Sequence, residues 1–304
     1  MSYNILPQSG SASVKVRLNI REQPSASSTL LGTLEPNTKL TFDAVVNNGD
    51  SINGNAVWYR DLQGHYLWSG GVTEVVTSTA AQKYAASALP PILPPGINLQ
   101  NLDLPVTNSR CIRATQWLKN NFGTQINSAI TNTQFPPELL YAIACQETAI
   151  YWIKWIDDQD PAEILGRCIF DASGDINGSR SVFPRNTAAF IERFGQDKAD
   201  LLIKEANITR AWRGWGEKQW VYAGYGIFQY DLQFVLTDPD FFFQKKWYNI
   251  EDCITKVVNE LQDKQQKYPN DLFNIVKAYN GSGTNAINYA RNVFQFLEWI
   301  GNGV

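Results

Sequence analysis

The chain has 304 residues, 44% of them hydrophobic and 18% charged, with a formal net charge of −3 and a single histidine. That length exceeds one ordinary core and predicts two domains, and both halves are mildly acidic, so no basic field is present to attract nucleic acid or an anionic membrane. The lone His65 lies in the N-terminal half, which excludes Cys-His and Ser-His-Asp hydrolases and His-ligated zinc enzymes from the C-terminal half, because each needs an imidazole beside its nucleophile or metal.

The N-terminus, Met1 to Gly10, has neither a basic start nor a continuous apolar run, so no secretory signal peptide is expected. No apolar stretch is long enough to span a bilayer. Residues 13–77 alternate like short strands: Ser13 to Arg21, Leu30 to Leu34, Lys39 to Val46, Val57 to Arg60 and His65 to Trp68. Asn47-Asn48-Gly49-Asp50 and Asn53-Gly54-Asn55 supply turn chemistry between them, which predicts a small all-β barrel. Residues 78–107 hold paired prolines at Pro90-Pro91 and Pro94-Pro95, with Pro105 beyond, and read as a semi-extended linker.

From residue 108 to 304 the periodicity is helical. Helices are expected over Cys111 to Phe122, from the Pro136-Pro137 pair through Glu147 to about Ile156, and over Thr187 to Phe194 and Lys198 to Ala206. Three more are expected over Ile250 to Lys267, Leu272 to Tyr279 and Ala286 to Trp299. The four cysteines, Cys111, Cys145, Cys168 and Cys253, form no Cys-x-x-Cys pair. Free thiols are expected, although an even count also permits two disulfides in an oxidising compartment.

Glu147 is the most informative residue. Leu140, Ile143, Ala144 and Glu147 follow one another at three- and four-residue steps, so the carboxylate points where apolar side chains point. Desolvation raises the pKa of such a group and suits it to donate a proton. The common alternative is a core-edge glutamate satisfied by an arginine or a backbone amide. Two later segments bear on the choice: Gly224-Tyr225-Gly226-Ile227-Phe228-Gln229-Tyr230-Asp231 and Ala278-Tyr279-Asn280-Gly281.

In this order, the proline-opened helix ending Ala-x-x-Glu-Thr, the Gly-x-Gly-Ile-Phe-Gln segment and Ala-Tyr-Asn-Gly resemble the lysozyme-like fold of lytic transglycosylases and goose-type lysozymes. The N-terminal part resembles a bacterial SH3 domain through Leu18-Asn19-Ile20-Arg21, Leu31-Gly32-Thr33-Leu34, Trp58-Tyr59 and Tyr66-Leu67-Trp68-Ser69-Gly70-Gly71-Val72. The fold class expected is therefore multidomain, an all-β SH3-like barrel followed by a mainly α lysozyme-like domain. The resemblance implies cleavage of the β-1,4 bond after N-acetylmuramic acid in peptidoglycan, with Glu147 as general acid, without a cofactor, by hydrolysis or by lytic transglycosylation.

It also implies that Tyr225, Gly226, Gln229, Tyr279 and Asn280 line the sugar subsites, the competing role for Asn280 being to hold a helix end. Trp58, Tyr59 and Trp68 are the candidate glycan or peptide contacts of the barrel. Asp231 matches a water-positioning aspartate of goose-type lysozymes, and the competing reading is a helix cap near Leu232. Asp171 and Asp175 are the other candidate second carboxylates. Their loop alternates oxygen side chains as a calcium loop does, but Ile176 and Val182 stand where glycine and glutamate are needed, so no metal is expected. The stretch between Glu147 and Gly224 is longer than in goose-type lysozymes and departs from the pattern. Rival readings are an inactive wall-binding scaffold and a chitinase-like glycosidase. Peptidoglycan strands are the expected partner, reached after export, injection or lysis.

Overall fold

The computed structural model describes residues 3–61, 63–78, 91–176 and 180–303. The chain divides into two compact units, Met1–Ser87 and Ala88–Val304. The first is an antiparallel β-sheet and the second is mainly helical.

Among the described residues of the first unit, the strands are β1 (Ile5–Val14), β2 (Leu18–Arg21), β3 (Leu30–Leu34), β4 (Lys39–Val46), β5 (Trp58–Asp61), β6 (Tyr66–Trp68) and β7 (Val72–Ser78). Their order in the sheet is β3-β2-β6-β5-β4-β1-β7. The run expected to be one strand over Ser13 to Arg21 is broken, because β1 ends at Val14 and β2 starts at Leu18. β1 begins eight residues before the alternation that signalled it. Its pairing with both β4 and β7 holds the Pro7-Gln8-Ser9-Gly10 segment extended where local composition gives no strand signal. Asn53 and Gly54 both have positive φ, 52° and 82°, as a two-residue hairpin turn of the type favoured by Asn-Gly requires.

The sheet's apolar face gathers Val14, Leu18, Leu40, Phe42 and Leu67. Trp58 and Tyr66 pack with Val46 in a second cluster, and the Trp58 indole N–H donates to the Asp50 carbonyl at 2.9 Å. Tyr59 stacks on Phe42 with centroids 4.2 Å apart. Trp58 and Tyr59 are therefore core residues, only 2% and 9% exposed, with no free ring face to offer a ligand. Trp68 is half-buried, and its indole N–H donates to the Asn55 carbonyl at 2.9 Å.

The helical unit contains α1 (Asn108–Ile130), α2 (Pro137–Glu147), α3 (Thr187–Phe194), α4 (Gln196–Trp212), α5 (Ile250–Lys267), α6 (Leu272–Asn280) and α7 (Gly283–Gly303). Shorter helical turns lie between them. α2 is at the centre. Leu139, Leu140, Ala142, Ile143, Ala144 and Cys145 are fully buried, and α1 and α7 pack against the helix. A helix apolar all round is a core helix rather than an amphipathic surface one. It stops at Glu147 rather than near Ile156, because Thr148 leaves helical geometry at φ −139°. The cysteines are free thiols, all buried.

Of the proline-rich segment, residues 79–90 lie outside the described residues. Its later part lies along α7: Arg291 donates to the Asn98 and Gln100 carbonyls at 2.8 and 2.7 Å, and Asn292 donates to the Asp103 carbonyl at 2.9 Å. The long stretch after α2 is organised around a buried ion pair. Arg167 and Glu205, 1% and 3% exposed, meet at 3.0 Å. The Tyr248 hydroxyl and Lys245 also donate to the Glu205 carboxylate. Among the described residues, no helix is long and apolar enough to cross a membrane.

Candidate active site

Pro136 precedes α2 and Pro137 occupies its first position, where the missing N–H breaks no hydrogen bond. At the other end, Thr148 turns its hydroxyl to the glycine-rich segment. It donates to the Ile227 carbonyl at 2.8 Å and accepts from the Trp152 indole at 2.9 Å. The end of α2 is thus tied to the segment that begins at Gly224.

That segment is a hairpin. β9 (Gly224–Tyr225) pairs with β10 (Tyr230–Asp231) on one side and β8 (Ile169–Phe170) on the other. Gly226 has φ 78°, and a Cβ there would stand 2.8 Å from Cys253 Sγ, so both the turn and the close packing demand glycine. Gln229, at φ 55°, donates through Nε2 to the Gly226 and Cys168 carbonyls at 2.8 and 3.2 Å. From α6, the Tyr279 hydroxyl donates to the Phe228 carbonyl at 2.9 Å. The hairpin is held from three directions, and a held backbone is what a site needs to keep its geometry.

Glu147 is half-buried at the last residue of α2. The Tyr289 hydroxyl, on α7, donates to Glu147 Oε1 at 2.6 Å. Burial pushes the Glu147 carboxyl up to about 7; the Tyr289 hydrogen bond opposes the rise and the nearby charge of Glu260 adds to it. A helix C-terminus also disfavours negative charge. The group therefore holds its proton near neutral pH, as a general acid must.

Glu260, on α5, is the second perturbed carboxyl. Burial raises it to about 7, with the Lys264 ammonium opposing and the charges of Asp231 and Asp263 adding. Together with Phe228, Tyr230, Lys256 and Tyr279 it lines a small cavity under the hairpin, with room for about one water. The charges of Glu147 and Glu260 both bear on Tyr279 and Tyr289, whose rings are 6.2 Å apart.

The other expected residues divide into those at this site and those committed elsewhere. Tyr225 is 1% exposed, edge-on to Phe242 and Trp247; it borders the cavity as a core ring. Asn280 is the exposed last residue of α6. Asp231 accepts from Arg180 Nη2 at 2.7 and 2.5 Å, and its Oδ1 caps the turn at Leu232 by accepting from the Gln233 amide at 2.7 Å. The cap reading of Asp231 is thus the one realised in its hydrogen bonds. Asp175 accepts from the Thr187 hydroxyl at 2.8 Å, and Asp171 is exposed and accepts from the Ser173 amide at 3.0 Å. Asn177 and Gly178 of that loop lie outside the described residues.

Tyr289 and Glu260 are the residues that reading the sequence passed over. Both carried the signal that singles out Glu147. Glu260 follows Cys253 and Val257 at four- and three-residue steps, and Tyr289 stands among Ala286, Ala290 and Val293, so each is a polar group on a buried helical face. Compared with protein-family models, with curated proteins and with solved structures, the chain gives no match.

Proposed function

We propose that the protein is a peptidoglycan-cleaving glycosidase that breaks the β-1,4 bond after N-acetylmuramic acid, with Glu147 as the general acid. The observation that carries this reading is a glutamic acid held protonated near neutral pH, its carboxyl up to about 7, at the end of a buried helix whose next residue is bonded to a glycine-rich hairpin. Proton donation to a glycosidic oxygen needs such a group and needs no imidazole. In this reading the Tyr289 hydrogen bond aims the acid, and the hairpin, packed against Cys253 at Gly226, holds the end of its helix in place.

The test is digestion of purified peptidoglycan by the intact protein, with mass spectrometry of the released fragments and chitin as a parallel substrate. Muropeptides from peptidoglycan, with little release from chitin, are expected. Chitin oligomers as the better product would move the enzyme to the chitinase-like class, and an absence of release from both would leave a wall-binding scaffold.

In the same proposal the N-terminal sheet is an SH3-like wall-targeting module that has no part in the chemistry. Of its three expected contact residues only Trp68 keeps an exposed portion, so retention would depend on it and not on Trp58 or Tyr59. A fragment ending at Ser87 is expected to sediment with insoluble peptidoglycan and to stay bound at moderate salt, because no large positive field is there to screen. Recovery of the fragment in the supernatant would reduce the sheet to a structural role.

A further inference from the structure

We propose that Glu260 is the second carboxylate of the site, the base that takes a proton from the attacking water while Glu147 protonates the leaving oxygen. The inference rests on the glycosidase reading above and makes the reaction a hydrolysis with inversion rather than an internal displacement by a sugar hydroxyl.

The contrast with Asp231 carries the argument. Asp231 follows the hairpin directly, but its carboxylate is occupied by Arg180 and by the Gln233 amide, and freeing it would leave a guanidinium with a 10% exposed side chain without its partner. Among the described residues none donates a hydrogen bond to Glu260. Its neighbour Lys264 is paired with Asp263 at 2.9 Å, and Lys256, one turn back, is paired with Asp238 at 2.7 Å. Glu260 is therefore a carboxylate with open acceptor positions at a cavity that fits about one water.

Geometry links that cavity to the acid. Glu260, Phe228 and Tyr279 share the cavity wall, Tyr279 is hydrogen-bonded to the Phe228 carbonyl and its ring faces that of Tyr289, and Tyr289 holds Glu147. The charge of Glu260 adds to the rise at Glu147, so an ionised Glu260 favours a protonated Glu147. That division is what an acid and base pair requires.

The step balances. The Glu147 proton passes to the glycosidic oxygen as its bond to C1 breaks; the water oxygen bonds to C1 from the opposite face, and the water proton passes to Glu260. One water is consumed, the products are a reducing sugar and a free 4-hydroxyl, and the protons redistribute through solvent for the next turnover.

The deciding experiment uses the full chain on purified peptidoglycan in water enriched in oxygen-18, with Glu260→Gln, Glu260→Asp and Asp231→Asn beside the wild type. Wild-type products are expected to be reducing muramic acid ends carrying the label at C1, first appearing as the inverted anomer. Glu260→Gln is expected to lose about a hundredfold in kcat with KM nearly unchanged, and to lose the acidic limb of its pH profile. Added azide is expected to restore turnover and yield a glycosyl azide of inverted configuration. Glu260→Asp keeps a carboxylate, so a weakened rate that retains the acidic limb is expected even if the glutamine variant does not fold. Anhydro sugars from the wild type, a folded Glu260→Gln with near wild-type kcat, or a severe loss in Asp231→Asn at unchanged melting temperature would each overturn the assignment to Glu260. Wild-type protein that releases nothing, or a fully active Glu147→Gln, would instead bring down the glycosidase reading itself.

Discussion

Glu147→Gln abolishes muropeptide release while the far-ultraviolet circular dichroism stays at the wild-type level. The amide keeps the side chain's shape, and its oxygen still accepts the hydrogen bond that Tyr289 now gives to Oε1, but it has no proton to transfer. The loss expected is at least about a thousandfold, within the range of an essential acid. Stability changes in a pH-dependent way that a surface glutamate would not produce. The folded Glu147 carboxyl, at about 7, lies above its ordinary value of 4.5, so the fold favours the protonated form. Its contribution is complete below the ordinary value and is lost as pH rises through about 7. The variant therefore melts with the wild type at pH 4 and above it at pH 8. A rise of this size corresponds to about 3 kcal/mol at full strength, and solvent reaching a half-buried group reduces it to about 1 kcal/mol, or about 2–4 °C. Substantial lytic activity in the folded variant would remove Glu147 from the mechanism; equal melting at both pH values would show that its carboxyl titrates as an exposed one does.

Glu205→Ala destabilises the helical unit by about 3–5 kcal/mol, the range for breaking a buried ion pair from one side. Arg167 is 1% exposed, and its Nε and Nη1 already lack hydrogen-bond partners. Removing Glu205 leaves the guanidinium over the Tyr248 ring, 5.1 Å from the ring centre, with the charge of Glu163 to oppose its own, and strips Lys245 and Tyr248 of their acceptor. The melting temperature is expected to fall by about 10 °C. The double variant Arg167→Met with Glu205→Leu recovers most of that loss, because apolar side chains of similar size remove the stranded charge. Thermal unfolding of the three proteins checks this, and a fall of less than about 1 kcal/mol in the single variant would mean that water reaches the pair. Since Glu205 sits on α4 and Arg167 ahead of β8, the pair joins the long stretch after α2 to the strand beside the hairpin.

Much of the secondary structure was legible because it is local. Ile250–Lys267 and Thr187–Phe194 are helices with the bounds that apolar spacing indicated, and Leu30–Leu34 and Lys39–Val46 are strands likewise. β1 was legible only in its last residues, since pairing with β4 and β7 rather than composition extends it back to Ile5. The end of α2 was misjudged for a similar reason: nothing in Thr148-Ala149-Ile150 forbids a helix, and the hydroxyl of Thr148 finds its acceptor in Ile227, far along the chain.

The order of residues alone determined which groups are available for chemistry. It left carboxylates and no imidazole in the helical half, placed Glu147 on an apolar helical face, and put glycine at 226, where backbone freedom is needed. What each carboxylate does was decided by the tertiary structure. Asp231 was the evident second carboxylate by its place beside the hairpin, yet Arg180 and a backbone amide take its oxygens. Glu260, on another helix, borders the cavity, and none of the described residues donates a hydrogen bond to it. Hydrogen-bond partners and desolvation come from elements distant in the chain, and they, rather than the residue type, set whether a carboxyl caps a turn, holds a proton or takes one.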